Sequence, residues 1–276
     1  MKKGILVLLL LFGFLPLFAP PNCEAIKDDE ACYAGCQKAL DAITFRQGSW
    51  QSQDLFDESL ELCPGFAYSH MQKAVPFVKR GLFIEWKTMI DKAVEYDPVE
   101  FLGYRGWCRL QFLRDYEGCI SDIEQLRSMI NYDLGFCQTG DYHLEIVLAL
   151  CYKAIGKTDK AMQIYQSRLD AGNEMHTGLY DYYHYGVLQY ELDEYDAAFK
   201  SFERQVEEND YMGETYYFMG LIQKEKGDMK NATRTLMKAR EYYRSGKFRS
   251  DTYTETLDKI YLSEIESAIK ELANEK

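Results

Sequence analysis

Beyond residue 30, apolar and polar residues follow one another at helical spacing almost without a break. No stretch sustains the period of two that a half-buried strand requires, so the pattern predicts an all-α protein. A phrase recurs inside it. Gly186 is followed by Glu194-Tyr195-Asp196-Ala197-Ala198 and then Phe202, while Gly220 is followed by Gly227-Asp228-Met229-Lys230-Asn231-Ala232, then Leu236 and Ala239. Equivalent residues of the two stand 34 apart. The phrase occurs again at Gly156 to Ala161 with Tyr165, and at Arg114 to Cys119 with Ile123. Each period has room for two helices, and neither can bury its apolar stripe alone, so successive pairs must stack. Gly186, Gly220, Ala161, Ala198 and Ala232 are expected where paired helices approach, with Tyr165, Tyr195 and Phe202 filling the gaps between units.

The phrase resembles the tetratricopeptide repeat, whose motif runs W-x2-L-G-x2-Y, then A-x3-F, then A and P. Leu148-Ala149-x2-Tyr152 with Gly156, Ala161 and Tyr165 matches it closely, and Ile90-x2-Ala93-x4-Pro98 and Phe56-x2-Ser59-x4-Pro64 keep the end of two further units. The resemblance implies a right-handed α-solenoid of about six helix-turn-helix units, at 33–66, 67–99, 100–141, 142–178, 179–212 and 213–246, in an array over 26–250. Residues 131–141 read as an inserted loop and 172–178 as a lengthened link. Leu257, Ile260, Tyr261, Ile265, Ile269 and Leu272 predict one amphipathic helix over 251–274, within a terminal element at 251–276. Such an element caps the last apolar face of a solenoid.

In this family the first helix of each unit lines a groove. The resemblance places Phe101, Tyr104, His143, Ile146, Tyr180, Tyr183, Val187, Tyr190, Tyr217 and Leu221 there, with Met71, Val75 and Phe112 at further groove positions. The set is aromatic and apolar, which suits an extended peptide or a partner surface, and rings with polar tips are common interface anchors. Members that clamp a chaperone's C-terminal carboxylate use Lys and Asn at fixed positions. Met71, Val75, Tyr104 and Cys108 stand there instead, so that clamp is not expected.

The first 25 residues read as a secretory leader. Lys2 and Lys3 precede an apolar run from Gly4 to Phe18, which is shorter than the roughly 20 residues of a membrane span. Cys23 and Ala25 suit the −3 and −1 positions for cleavage after Ala25. Cleavage after Ala19 would put Pro20 at +1, and Pro20-Pro21-Asn22 before Cys23 fits a lipoprotein signal poorly. No later segment is apolar enough to span, so no membrane span is expected after the leader.

Composition then narrows the partners. Hydrophobic residues make up 47% of the chain, enough to bury a core and exclude global disorder. A net charge of −12 argues against nucleic acid and anionic lipid. Export permits disulfides. Cys63 is placed to reach Cys32 or Cys36, Cys108 to reach Cys119, and Cys137 to reach Cys151; otherwise these are small buried side chains. His70, His143, His176 and His184 form no metal spacing, and no nucleophile elbow, phosphate loop or dinucleotide fingerprint occurs. The sequence thus points to a non-enzymatic scaffold without cofactor or metal, periplasmic or secreted. It would hold a peptide or partner protein for cell-envelope assembly, secretion or a surface complex. A second reading is a glycan- or solute-capture module of an outer-membrane uptake system, with Tyr180, Tyr183 and Tyr217 stacking on sugars. Self-association through the terminal helix is a further arrangement.

Overall fold

The computed structural model describes residues 20–170 and 177–274. Most of the expected leader, and residues 172–176 of the expected link with His176, lie outside them. Among the described residues the regular structure is helical, apart from an isolated bridge between Phe136 and His143. The chain divides into two compact units, one ending at Pro64 and the other starting at Gly65.

In the first unit a short 3-10 turn, Cys23–Ile26, precedes α1 (Glu30–Ala42) and α2 (Trp50–Leu62). Asp29 caps α1 by accepting from the Cys32 N–H, and Ser49 caps α2 by accepting from the Ser52 N–H. The two helices approach closely at Gly35, where an added Cβ would lie 2.8 Å from the Ser59 carbonyl oxygen. Two disulfides join the unit, Cys32–Cys63 and Cys23–Cys36. Of the alternatives at Cys63 the structure takes Cys32. The second bridge involves a residue of the expected leader: Cys23 is buried and covalently tied to α1.

The second unit is a series of helical hairpins: α3 (Ala67–Lys79) with α4 (Phe83–Tyr96), α5 (Pro98–Cys108) with α6 (Tyr116–Met129), α7 (Leu144–Ala154) with α8 (Thr158–Tyr165), α9 (Asp181–Glu191) with α10 (Tyr195–Glu208), and α11 (Gly213–Glu225) with α12 (Met229–Arg244). Side-chain caps start several of them, namely Asp97 before α5, Asp115 before α6, His143 before α7 and Asp228 before α12. A π-helical turn, Arg109–Leu113, extends α5 until Arg114 ends it at φ 55°.

Helix contact inside a hairpin depends on small residues. A Cβ on Gly186 of α9 would meet the Phe202 ring of α10 at 2.7 Å, and one on Gly220 of α11 would meet Leu236 Cγ of α12 at 2.7 Å. Phe202 is fully buried and stacked on Phe218 of α11, ring centroids 5.5 Å apart, so its ring has nowhere to go. Gly186→Ala is therefore expected to lose about 1–3 kcal/mol by overpacking, although alanine is the better helix former. Urea titration checks this; an unchanged or higher midpoint would contradict the packing account.

Two expectations are corrected in this unit. The terminal helix α13 spans only Leu262–Asn274 and packs on α12, while residues 246–261 form an irregular loop. Cys108, Cys119, Cys137 and Cys151 are buried unbridged thiols, so neither expected pair forms. Neighbours are exchanged instead: Cys119 of α6 shares a hydrogen bond with Cys151 of α7, and Cys108 with Tyr104 one turn earlier.

Candidate functional site

Helical geometry fixes which side of each first helix is turned away from its hairpin partner. In α5, Gly103, Arg105 and Gly106 face α4, α6 and α7. At 100° per residue, Tyr104, Trp107 and the following Gln111 share a side that is turned away from Arg105 and Gly106. Loop 246–261 runs over this first-helix face.

The loop leaves α12 at Gly246, whose φ of 78° suits a residue without a side chain. The Gly213 N–H donates to the Lys247 carbonyl at 2.9 Å. Arg249 then turns inward. Its backbone N–H donates to Glu214 Oε1 at 2.8 Å, and its guanidinium donates to His184 Nε2 at 3.0 Å and to the Leu257 carbonyl at 2.5 Å. The same guanidinium lies 4.2 Å from the Tyr183 ring centroid, a cation–π contact. On its return the loop brings Asp258 beside it, at φ 47°. The Asp258 carboxylate accepts from Lys153 Nζ at 2.9 Å and from His184 Nδ1 at 2.5 Å, and its carbonyl accepts from the Tyr183 hydroxyl at 2.5 Å. Tyr243 donates to the Ile260 carbonyl at 2.5 Å. Arg249 and Asp258 thus close a neck through one imidazole, while the intervening residues project along the face as an Ω-type loop.

The tip of the loop reaches two earlier elements, the π-helical turn with its cap Arg114, and α3. Gln111 Nε2 donates to Thr254 Oγ1 at 2.7 Å, Arg114 donates to the Glu255 carbonyl, and Lys79 Nζ of α3 lies 5.4 Å from the Tyr253 ring centroid. A cavity of about 370 Å³ opens beside Asp258, between Lys153 of α7 and Glu191 of α9. Lys153 Nζ bridges the two carboxylates, 2.8 Å from Glu191 and 2.9 Å from Asp258.

The expected groove residues fall into two sets. Phe101, Tyr104, His143, Ile146, Tyr183 and Val187 are buried, as are Met71 and Val75, which removes them from contact with a partner. Tyr180, Tyr190, Tyr217 and Leu221 are half-buried, as is Phe112. Much of the cover comes from the C-terminal region. Arg249 lies over Tyr183 and Tyr180, and Tyr217 and Leu221 pack against a cluster to which α13 contributes Ala268 and Leu272. Tyr180, Tyr183 and Tyr217 therefore make no exposed stacking platform for a sugar. His143 is structural: its Nδ1 caps α7 by accepting from the Glu145 N–H, and its Nε2 bonds to Asp133 of the insertion at 2.8 Å. Arg168 holds the other Asp133 oxygen at 2.7 Å. Arg249, Asp258, Lys153, Glu214 and Gln111 carry the geometry of this face without belonging to the repeat phrase. His184 is fully buried at the neck.

Two groups titrate in opposition here. Burial, with Arg249 and Lys153 nearby, pulls His184 down to about 4 against the help of Asp258. Burial pushes the Asp181 carboxyl, at the start of α9, up to about 7, although the backbone N–H groups of Gly178 and His143 hydrogen-bond to it. Between pH 4 and 6.5 the unfolded chain protonates His184 and the folded chain does not, so stability falls as pH drops. Across pH 4 to 7 the folded chain protonates Asp181 and the unfolded chain does not, so stability rises as pH drops. The two offset each other in the wild type. Asp181→Asn is expected to unmask the histidine: its stability relative to wild type falls on acidification by roughly 1 kcal/mol per pH unit. Denaturation midpoints at pH 4.5, 5.5 and 6.5 check this, and parallel profiles would refute it.

Residues 213–245 and 148–167 match family models described as tetratricopeptide repeat. No curated protein matches the chain. Solved structures share its fold. The structure from the functional characterization of Pseudomonas aeruginosa pilF is 17% identical, covers 91% of this chain and 100% of its own, and has a TM-score of 0.63. PilW, a widely conserved type IV pilus biogenesis factor, is 12% identical over 76% of this chain and 94% of its own, with a TM-score of 0.60. YrrB, a tetratricopeptide protein with an unusual peptide-binding site, is 16% identical over 68% and 92%, with a TM-score of 0.51. At these identities the likeness is one of fold. Two separate hairpins, α7 with α8 and α11 with α12, thus match tetratricopeptide-repeat models, and the fold of the chain is that of tetratricopeptide-repeat solenoids.

Proposed function

We propose that the chain is an exported scaffold that takes an extended segment of a partner protein on the first-helix face of its second unit. The observation that carries this reading is the loop itself. Sixteen residues of non-helical chain lie on that face, held both by side chains that grip their backbone carbonyls and by slots for a guanidinium and a carboxylate. A face that holds one extended segment in this way has the chemistry to hold another. Export is supported by the leader pattern and by two disulfides, which persist in oxidising compartments. Likeness in fold to pilus biogenesis factors favours envelope assembly, secretion or a surface complex as the setting, and YrrB favours peptide recognition.

Site-specific photo-crosslinking tests the reading in cells that make the protein. A crosslinker in place of Tyr253, at the loop tip, is expected to capture a discrete protein partner. One in place of Met237, on the exposed side of α12, is expected to capture none. Adducts from Met237 alone would move the interface off the first-helix face and sink the proposal.

A further inference from the structure

We propose that the loop tip, residues 250–256, sits in a slot built for an acidic, aromatic-bearing segment of the partner, and that the tip is that segment's resident competitor. This rests on the scaffold reading and gives its ligand a chemistry and a place.

The loop is not held uniformly. At the neck, Arg249 and Ile260 are buried and Asp258 is bound on both carboxylate oxygens. At the tip, Asp251, Thr252, Tyr253 and Glu255 are exposed, Tyr253 by 53%. The tip meets earlier helices through the Gln111–Thr254 hydrogen bond, the Arg114 bond to a backbone carbonyl, the Lys79–Tyr253 contact and the attraction of Lys79 for Asp251, while within the loop Tyr261 and Lys259 donate to the Glu255 carboxylate and Asp251 accepts from the Tyr253 and Thr254 N–H groups. Apart from the part-buried Gln111–Thr254 bond these contacts are at or near the surface and contribute little each, so the tip can lift while the neck stays closed.

The groups on the slot side are mainly donors and cations, with the Asp141 carboxylate also near enough to act on Asp251. Lys79 and Arg114 bring two positive charges to one place on a chain of net charge −12. Gln111 supplies an amide N–H. Trp107, one turn before Gln111 on the same side, is only 8% exposed, and its indole N–H has no acceptor among the described residues. Its ring lies 6.1 Å from Tyr104 and edge-on to Phe112 at 6.0 Å, an aromatic floor. Donors, cations and rings together fit carboxylates, carbonyl oxygens and an aromatic side chain. The tip has that composition: Tyr253 with Asp251 two residues before it and Glu255 two after.

The test uses the full chain and a fluorescein-labelled peptide of its own residues 250–256. In the tip variant, Thr252, Tyr253, Thr254 and Glu255 are each replaced by glycine, leaving the neck intact; Tyr253→Ala alone is the milder form. Fluorescence anisotropy at physiological salt is expected to show binding to the tip variant about tenfold tighter than to wild type, since the covalently attached competitor is gone. Adding Lys79→Ala or Arg114→Ala is expected to weaken it at least about fivefold, as is amidation of both peptide carboxylates. Equal binding to wild type, no binding to either tip variant, or indifference to Lys79 and Arg114 would overturn the proposal. A partner crosslinked from Tyr253 while the peptide fails would retain the scaffold and discard only this slot.

Discussion

Arg249→Met is expected to cost the second unit about 3–5 kcal/mol. The guanidinium is buried at the centre of the neck, and Glu214, His184 and Tyr183 beside it are buried too. Glu214 is fully buried and its Oε1 lies 3.7 Å from Arg249 Nε; His184 is fully buried and accepts from Nη1. Methionine keeps the length of the side chain and roughly its packing. What it removes is the positive charge beside Glu214 and the donors to His184 and the Leu257 carbonyl. Leaving a buried carboxylate without its partner is the costly half of breaking an ion pair. For a unit of this size the loss corresponds to a fall of about 10 °C in Tm. Differential scanning fluorimetry reads it, and mass spectrometry of a brief trypsin digest should place the first new cuts in residues 246–261. Arg249→Met combined with Glu214→Gln is expected to recover part of the loss, because a neutral amide tolerates burial better. Tyr253→Ala at the tip should cost under about 1 kcal/mol. If Arg249→Met lowered stability no more than Tyr253→Ala, the neck would not be the loop's anchor.

This contrast also shows what the sequence could disclose. The hairpins were legible because the same small residues recur at a fixed interval: Gly186 and Gly220 face Phe202 and Leu236 in equivalent contacts. Helix pairing inside a repeat is a local matter, and a local pattern encodes it. The placing of Tyr104 and Tyr183 on first helices was also legible from the helical period. Their burial was not. Arg249 meets His184 across 65 residues, and Thr254 meets Gln111 across 143, distances at which periodicity carries no information. The loop was misread for a related reason. Leu257, Ile260, Tyr261 and Ile265 keep helical spacing, but Leu257 and Ile260 are placed by the neck and only the last of the four lies inside α13. A weaker signal was present: Thr252, Thr254 and Thr256 are β-branched residues in a short run, poor material for a helix. The Cys23–Cys36 bridge was missed because a leader extended to Ala25 discards one of its partners.

Reduction is expected to unfold the first unit and leave the second folded. The first unit has a small interior. Among its described residues, apart from the cysteines, the buried hydrophobic ones are Ala39, Ala42 and Phe56, of which Phe56 alone is large. A core of that size cannot offset the conformational entropy of ordering two helices, and domains below about 40–60 residues commonly depend on covalent links. Cys32 and Cys36 sit one turn apart on α1; the first reaches Cys63 after α2 and the second reaches Cys23 in the 3-10 turn. Restricting the unfolded chain over separations of 31 and 13 residues is worth about 4 and about 3 kcal/mol if each bridge acts alone. The loops overlap in sequence, so the two do not add fully. The second unit has no bridge among its four thiols and draws its stability from its own aromatic core, including Tyr183, Phe202 and Phe218. In dithiothreitol, limited proteolysis of the full chain should cut first within residues 20–64 and spare 65–274. Cys32→Ser/Cys63→Ser should reproduce this without reductant. Iodoacetamide added to the denatured, unreduced protein should label four cysteines, Cys108, Cys119, Cys137 and Cys151, and all eight only after reduction. Persistent protection of α1 and α2 in reductant would show that packing alone holds the unit, and labelling of more than four cysteines before reduction would show that the bridges are incomplete.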